Sequence, residues 1–222
     1  MKKLALALLT AGVALSAQAH QTQGSTFGPP VRTEIKFTGD LPMFDSNLGT
    51  LTDATLDLFG TGIFAYSGSN GAAQVQQAKI TVFSDILWSS TLGDLSAFLA
   101  GDTISLSSTS GLESYEAGQT HSFGPETNTD DATNDLGSIL ASLSMAGGGT
   151  FDLTCYSLSG IAVQGGGDNF LAAQDTEAAC GARITYTYDA APPVSVPEPA
   201  SLALVGLALA GIAATTRRRS NG

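Results

Sequence analysis

Positive charge is scarce in this chain of 222 residues, which has 9 Lys and Arg against 20 Asp and Glu. Five of the basic residues lie at the two ends and Glu198 lies near the C-terminus, so residues 20–197 keep four cations against 19 carboxylates. A domain with this charge repels phosphates and anionic lipid head groups. Nucleic acid is therefore excluded as a partner. The four remaining cations are Arg32, Lys36, Lys79 and Arg183.

Histidine is also scarce, and the sequence motifs of common enzymes are missing. The chain contains no Gly-x-Ser-x-Gly elbow, His-Glu-x-x-His pair or phosphate-binding loop. His20 stands at the predicted mature N-terminus, where little order is expected. His121 is then the only candidate imidazole, and one histidine cannot make a histidine-based metal site. The sequence predicts a protein that is not an enzyme, with no catalytic residue and no cofactor.

Only two cysteines occur, Cys155 and Cys180. Both lie in the part of the chain that is predicted to be exported, and an even number of cysteines in an oxidising space indicates a disulfide. Closing a loop of about 25 residues would stabilise the fold by about 3.5 kcal/mol in the chain-entropy model. Free thiols or a metal pair are the alternatives, but no neighbouring Cys or His completes a ligand set.

Long hydrophobic runs are absent except at the two ends. At the N-terminus, Lys2-Lys3 precedes an apolar run from Leu4 to Leu15, and the small residues Ala17 and Ala19 follow. This pattern predicts that residues 1–19 are a signal peptide for the Sec machinery, cleaved after Ala19. An uncleaved N-terminal anchor is the alternative.

The second apolar run, residues 200–216, has no charge and precedes Arg217, Arg218 and Arg219. As a transmembrane helix it would be about 25 Å long, the short end of what spans a hydrocarbon core of about 30 Å. Arginines prefer the cytoplasmic side, so residues 217–222 are predicted to be a cytoplasmic tail, with the domain outside. The alternative is a buried helix of a soluble domain, which three consecutive arginines disfavour.

Residues 191–199 are predicted to be a proline-rich linker that ends in Pro197-Glu198-Pro199. The two prolines hold the backbone extended and keep it out of helices and sheets. The triplet, the short apolar helix and the arginine cluster together resemble the PEP-CTERM sorting signal of Gram-negative bacteria. The resemblance implies that an exosortase, a membrane-embedded cysteine protease, removes the helix from a membrane-tethered precursor. A permanent single-pass anchor is the alternative.

Residues 20–190 contain short runs that alternate Thr, Ser, Val and Ile with polar residues, separated by glycines. This pattern is typical of an all-β domain, and we expect one jelly-roll-like β-sandwich. Gly60 and Gly62 are expected to interrupt a strand, and Ser159-Gly160 to turn a hairpin. Residues 111–135 are expected to form a loose surface excursion. Strands are expected at 32–37, 51–59, 63–66, 75–88, 102–108, 151–158, 161–163 and 183–188.

Two stretches of the body resemble the choice-of-anchor E domain family. The segment 41–51 (Leu-Pro-Met-Phe-Asp-Ser-Asn-Leu-Gly-Thr-Leu) looks like its signature, and 181–188 (Gly-Ala-Arg-Ile-Thr-Tyr-Thr-Tyr) is similar to its last strand. The resemblance implies an exported β-domain whose biochemical role is undetermined. Physically, Phe44 and Leu48 are expected to staple a turn in which Gly49 adopts a backbone angle closed to other residues.

Calcium is the best candidate ligand that the residues themselves offer. Carboxylate and amide oxygens are dense between residues 126 and 135, and calcium takes six to eight oxygen ligands. The order of the residues does not match an EF-hand loop, and a solvated acidic loop is the alternative. The carboxylates concerned are Glu126, Asp130, Asp131 and Asp135.

Two functions of different class follow. The favoured one is a non-catalytic cell-surface or extracellular-matrix protein exported for exosortase handling. The alternative is a polysaccharide-binding module or hydrolase that acts in the extracellular polysaccharide. An exposed aromatic row would favour the alternative, whereas inward-pointing aromatics would favour the first. The aromatic residues that decide this are Tyr66, Trp88, Tyr156, Tyr186 and Tyr188.

Overall fold

The structure, a computed structural model, describes residues 18–192. Two sheets account for most of this range, with a short helix α1 (Gly93–Phe98) and a 3-10 helix (Gly137–Leu143) between strands. The first sheet contains β1 (Gln18–Thr26), β2 (Val31–Arg32), β4 (Gly49–Asn70), β7 (Thr120–Asp135) and β10 (Phe170–Ala190). The second contains β3 (Lys36–Asp45), β5 (Gln76–Ser90), β6 (Thr103–Tyr115), β8 (Ser144–Met145) and β9 (Gly149–Gly165).

The strand order is that of a jelly roll. The main strands run β1-β10-β4-β7 in one sheet and β6-β5-β9-β3 in the other. The chain crosses between the sheets six times, from β2 to β3, β3 to β4, β4 to β5, β6 to β7, β7 to β8 and β9 to β10. This double winding of two antiparallel sheets confirms the predicted all-β sandwich.

Buried and exposed side chains alternate along much of the long strands, because one face of each sheet is buried and the other faces solvent. In β4, for example, Leu56, Leu58 and Phe64 are fully buried, and every second residue from Asp57 to Ile63 is more exposed. The same alternation continues along β5 and the first half of β6. It produces one continuous core between the two sheets.

The predicted strand break at Gly60 and Gly62 is wrong, since β4 runs through both residues. Both glycines face the core, where the opposite sheet comes close. A Cβ on Gly60 would lie 2.8 Å from Ile104 Cγ2 and 2.9 Å from Ile86 Cδ1. These glycines therefore allow the sheets to approach, and they do not form a turn.

The predicted hairpin at Ser159-Gly160 is also wrong, because β9 is continuous across it. Gly160 lies directly opposite Phe83 of β5. The Phe83 ring lies where a Cβ of residue 160 would be. An aromatic ring covering a cross-strand glycine thus accounts for a residue that looks like a turn in the sequence.

The predicted surface excursion at 111–135 is instead the end of β6 and the whole of β7. The turn between them is held by Asn70, which is fully buried at the end of β4. Its Nδ2 donates to the carbonyls of Gln74 (2.8 Å), Tyr115 (2.9 Å) and Glu116 (3.2 Å). Its Oδ1 accepts from the Ala72 amide at 2.9 Å. One side chain therefore ties together both connections at this end of the sandwich.

We expect Asn70→Ala to lower the free energy of unfolding by about 2–3 kcal/mol, because it leaves buried carbonyls without donors. Urea unfolding followed by the fluorescence of the buried Trp88 measures this loss. The exposed Asn47 provides the matched control, and Asn47→Ala should stay within about 0.5 kcal/mol of the parent protein. Equal unfolding midpoints for both variants would contradict the role given to Asn70.

Cys155 and Cys180 form the predicted disulfide. Cys155 lies on β9 and Cys180 on β10, so the bond joins the two sheets through the core, with the Cα atoms 6.7 Å apart. Both residues are buried, which shields the bond from reductants in solution.

Replacing both cysteines by alanine should cost about 3–4 kcal/mol, because the unfolded chain regains the entropy of the open loop. Chemical unfolding of the double variant and the parent protein measures the difference. Under a reductant present throughout unfolding, the two proteins should converge. If the difference persisted there, it would come from packing and not from the covalent link.

The predicted staple between Phe44 and Leu48 is wrong. Leu48 is 42% exposed, whereas Phe44 is buried. The centre of the Phe44 ring lies 5.8 Å from that of Tyr186 and 5.0 Å from that of Tyr188. Gly49 does adopt a positive φ of 151°. The turn is closed by Asp45, whose Oδ1 accepts from the amides of Asn47 (2.9 Å) and Gly147 (2.8 Å).

Candidate functional site

The sorting triplet Pro197-Glu198-Pro199 and the arginines 217–219 lie outside the described residues, as do Ala17 and the helix predicted at 200–216. Within residues 18–192, neither helical segment has the length and hydrophobicity needed to cross a membrane. The last strand, β10, ends at Ala190, where the predicted linker begins. The domain is therefore complete before the triplet in the chain.

The N-terminal strand begins close to the predicted cleavage point. Ala19 pairs with Tyr188 and His20 with Thr187, so β1 starts two residues before His20. The expectation of little order at His20 is wrong, because its Nδ1 lies 3.2 Å from Thr187 Oγ1 within a paired strand. Cleavage after Ala19 would leave His20–Thr26 as the strand.

The acidic residues proposed for calcium lie on β7, where the strand geometry separates them. Glu126 pairs with Phe64 and Asp130 pairs with Gly60, so both carboxylates are on the core-facing side of the sheet. Asp131 and Asp135 are on the opposite, outer side. Within the described residues, no three His, Cys, Asp or Glu side chains gather in a group that could hold a metal. Strand pairing thus replaces the loop that the calcium hypothesis required.

Glu126 instead helps to close the sandwich between its edge strands β6 and β7. The buried Ser108 donates to Glu126 Oε2 at 2.5 Å, and Tyr66 Oη lies 3.2 Å from Ser108 Oγ. His121 packs nearby with its ring 4.6 Å from that of Tyr115. These contacts give Glu126 and His121 structural partners at this edge.

Most of the aromatic residues point inward. Tyr66, Trp88 and Tyr186 are buried, and Tyr188 packs against the core. Tyr186 also donates from its hydroxyl to the Pro42 carbonyl at 2.7 Å, which links the sheets, and burial raises the pKa of this phenol. Tyr156 is different, since it is 36% exposed on the outer face of the second sheet.

Two carboxylates meet on that outer face. Asp40 of β3 and Asp152 of β9 lie directly opposite each other in register. A hydrogen bond with Asp40, together with partial burial and the charge of Asp40, raises the pKa of Asp152 above its ordinary value of 3.8. Like charges opposite each other on adjacent strands destabilise a sheet, so this pair costs stability when both groups are ionised.

We expect Asp152→Asn to raise the melting temperature at pH 7. A raised folded-state pKa means that protonation favours the folded protein, and this stabilisation is lost as pH rises through that pKa. The gain from Asp152→Asn should therefore shrink as pH falls towards 4. Melting curves across this range measure it, with the exposed loop variant Asp168→Asn as control. A gain that did not change with pH would disprove the repulsion.

A second charged cluster lies on the outer face of the first sheet. Arg183 donates to Asp57 Oδ2 from Nε (3.0 Å) and Nη2 (2.8 Å), and Thr133 donates to Oδ1 at 2.7 Å. Burial acts to raise the pKa of Asp57, but the bonds from Thr133 and Arg183 outweigh it and lower the pKa. The Arg183 guanidinium also lies 5.4 Å from the Phe59 ring centre. The cluster joins β10, β4 and β7, and the Asp57 carboxylate accepts all its hydrogen bonds named here from Arg183 and Thr133.

The first sheet also carries two adjoining concavities. The β2–β10 pocket, of about 240 Å³, is lined by Arg32, Thr33, Gln174, Asp175 and Thr176. The outer groove, of about 350 Å³, shares Gln174 and Asp175 with it and crosses β10, β4 and β7. The sequence predicted neither of them. Their residues come from distant parts of the chain and match no motif, so only the strand pairing reveals them.

Comparison with known proteins identifies the tail. A family model described as the PEP-CTERM protein-sorting motif matches residues 195–219. This motif implies an exported protein with a membrane-anchored precursor that an exosortase processes and sorts to the cell surface. The resemblance of the body to choice-of-anchor E domains finds no support in this match. No curated protein matches the chain.

Some solved virus structures have a distant similarity to the chain. Desmodium yellow mottle tymovirus matches with 11% identity over 85% of this chain and 97% of that chain, with a TM-score of 0.26. The infectious bursal disease virus Gx strain matches with 10% identity over 93% and 52%, with a TM-score of 0.23. The chain thus spans about half the length of the latter. Similarity at this level indicates nothing about function.

Proposed function

We propose that this chain is an exported, non-catalytic cell-surface or extracellular-matrix protein, and that its tail is removed by an exosortase. The match of residues 195–219 to the sorting motif carries the proposal. In this hypothesis, Pro197 and Pro199 present Glu198 on an extended backbone, and the arginines 217–219 hold the C-terminus in the cytoplasm. The Sec machinery would export the chain through the signal peptide at residues 1–19.

The architecture of the domain supports delivery of an intact product. Every strand in the described part of the chain ends by Ala190, so cleavage near Pro197 would remove none of these strands. The Cys155–Cys180 bond suits an oxidising exterior. The processed domain would therefore keep its core and its disulfide after release from the membrane.

The same geometry supports a non-catalytic role. Asp40 and Asp152 lie on the outer face of a sheet, whereas glycosidases place their two carboxyl groups on either side of the bond to be cut. Ser108 is buried in the sandwich edge beside Glu126. Most aromatic side chains serve the core. In this proposal, the two carboxylates belong to the outer surface of a sheet, and the serine and the aromatic residues contribute to packing.

Expression in an exosortase-containing host and in an otherwise identical strain without the enzyme tests the proposal. We expect mass spectrometry of the parent protein to show a C-terminus near Pro197 and the loss of Arg217–Arg219 only where the enzyme is present. Glu198→Ala should keep the tail and remain in the membrane fraction. Pro192→Ala, in the linker but outside the motif, should be processed normally.

Two outcomes would contradict this proposal. An intact tail in the exosortase-containing strain would indicate a permanent anchor. A full-length chain in the cytosol would show that the protein is not exported. The N-terminus found in the same spectra checks cleavage after Ala19.

A further inference from the structure

The outer face of the second sheet carries an apolar patch that is open to solvent. Phe83 of β5 is 37% exposed, and Tyr156 and Leu158 of β9 are 36% and 48% exposed. Tyr156 lies opposite the half-buried Leu87 in register, and Leu158 lies at a level between Phe83 and Tyr156. These four side chains form the apolar patch. Contiguous apolar surface of this kind marks interaction sites on soluble proteins.

The same face carries both lysines of residues 18–192. Lys36 of β3 lies opposite Tyr156, and Lys79 lies on β5 four residues before Phe83. Both arginines in this range are paired with aspartates, whereas neither lysine forms an ion pair there. The cations that are available to a partner are therefore on the face that carries the apolar patch.

The charges of this face nearly balance, although the domain as a whole is strongly acidic. Besides the two lysines, its strands direct Asp40, Asp85 and Asp152 outward. The outer face of the first sheet is more acidic, because there Arg32 and Arg183 are accompanied by Asp53, Asp57, Asp131, Asp135, Asp175 and Glu177. A second copy of this acidic domain therefore meets less repulsion at the second sheet than at the first.

The positions of the charges suit a two-fold axis that crosses the strands. Asp85 lies opposite Leu158, and Lys79 and Asp152 are each six residues from that pair, in opposite directions along the sheet. Each is therefore about 20 Å from the pair. An axis at this level places Lys79 of each copy against Asp152 and its neighbour Asp40 of the other. The face is thus self-complementary, as an isologous interface requires.

The same axis brings the two apolar patches together. Leu158 lies at the level of the axis and meets its own copy. Phe83 and Leu87 are two residues from Asp85 on either side, so Phe83 of one copy meets Leu87 of the other. Tyr156 meets Gly160, which has no side chain and is covered by the Phe83 ring. Apolar side chains therefore surround the axis, and lysines meet aspartates at the two ends.

The area of the face is sufficient for such an interface. From Lys79 to the level of Asp152 the face is about 40 Å long, and it is about 15 Å wide because three strands are present at each level. Each copy can therefore bury about 600 Å², or about 1,200 Å² in total, which is the lower limit for a stable interface.

We propose that the chain forms a two-fold symmetric dimer in which the outer faces of the two second sheets pack against each other. The dimer is a stack of four sheets, with the more acidic faces of the first sheets on the outside. A polysaccharide is the weaker candidate for this face, because it gives no reason for the matched positions of Lys79 and Asp152. The inference adds a partner to the proposed surface protein and does not depend on removal of the tail.

Sedimentation equilibrium of the full chain in a density-matched non-ionic detergent tests the dimer. We expect the parent protein to be dimeric at about 100 µM, since small interfaces bind in the micromolar range. Leu158→Glu and Lys79→Glu should each raise the dissociation constant more than about tenfold. The matched control Leu171→Glu, at an exposed position on the outer face of the first sheet, should leave it unchanged. Any association through the tail is common to all these variants.

Two further variants test the position of the axis. The two copies of Asp85 approach each other there and repel, so Asp85→Asn should lower the dissociation constant. Adding Asp152→Lys to Lys79→Glu exchanges the two charges and should restore much of the affinity that Lys79→Glu loses. Trp88 fluorescence checks that each variant is folded.

Distances between nitroxide labels test the order of the sheets. Ser105→Cys on β6 lies opposite Asp85 at the level of the axis, and packed sheets are about 10 Å apart, so its two labels should be close. Thr129→Cys lies on the outer face of the first sheet, and its two labels should be more than about 30 Å apart because three sheet spacings separate them.

Three outcomes would overturn the proposal. One is a parent protein that stays monomeric at this concentration, whether or not the face binds an added oligosaccharide. Another is a dimer that Leu171→Glu disrupts as strongly as Leu158→Glu. The third is a shorter distance between the labels at Thr129 than between those at Ser105. Because the unprocessed chain is used, a failure of exosortase cleavage would change none of these results.

Discussion

The pairing of β10 with β4 is the interaction on which the rest of the fold depends. It runs from Phe170 opposite Asn70 to Ala190 opposite Gly49 and places the last strand at the centre of the first sheet. β1 and β2 pair with the free side of β10, and β7 pairs with the free side of β4. Sheets built from strands this long curl, and the curl brings the inner faces together over one core. Gly60 allows that contact, because a Cβ there would meet Ile104 and Ile86 of the opposite sheet.

The fold class could be predicted from sequence because it follows from a local property, the alternation of side chains. Residues 183–188 show that alternation clearly and lie within β10, and the strand predicted at 75–88 corresponds to β5, which begins at Gln76. Strand continuity could not be predicted at Gly60 or Gly160, because the reason for each glycine is a ring or methyl group on another strand. The polar composition of residues 111–135 predicted a loose surface excursion, whereas the segment contains the end of β6 and the whole of β7. An edge strand in contact with water needs few apolar residues, and acidic side chains protect it from pairing with other chains.

The functional features also divide into those that a local sequence pattern predicts and those that depend on pairing between distant strands. The sorting tail is contiguous, so the motif, apolar run and arginines within residues 196–219 predict it, and the family model matches residues 195–219. The disulfide followed from counting cysteines and from the predicted compartment. The β2–β10 pocket has no such signal, since Arg32 and Asp175 are 143 residues apart and meet only through strand pairing.

The central position of β10 has a consequence for the export of the protein. A strand that completes the middle of a sheet is available only after the last part of the domain has crossed the membrane. Until then, β1 and β4 lack their shared neighbour, and the sheet edges stay open. Folding of the first sheet therefore depends on residues 170–190, which come directly before the predicted linker. The sandwich can thus be completed only late in export, when the linker and the sorting tail are all that follow in this sequence.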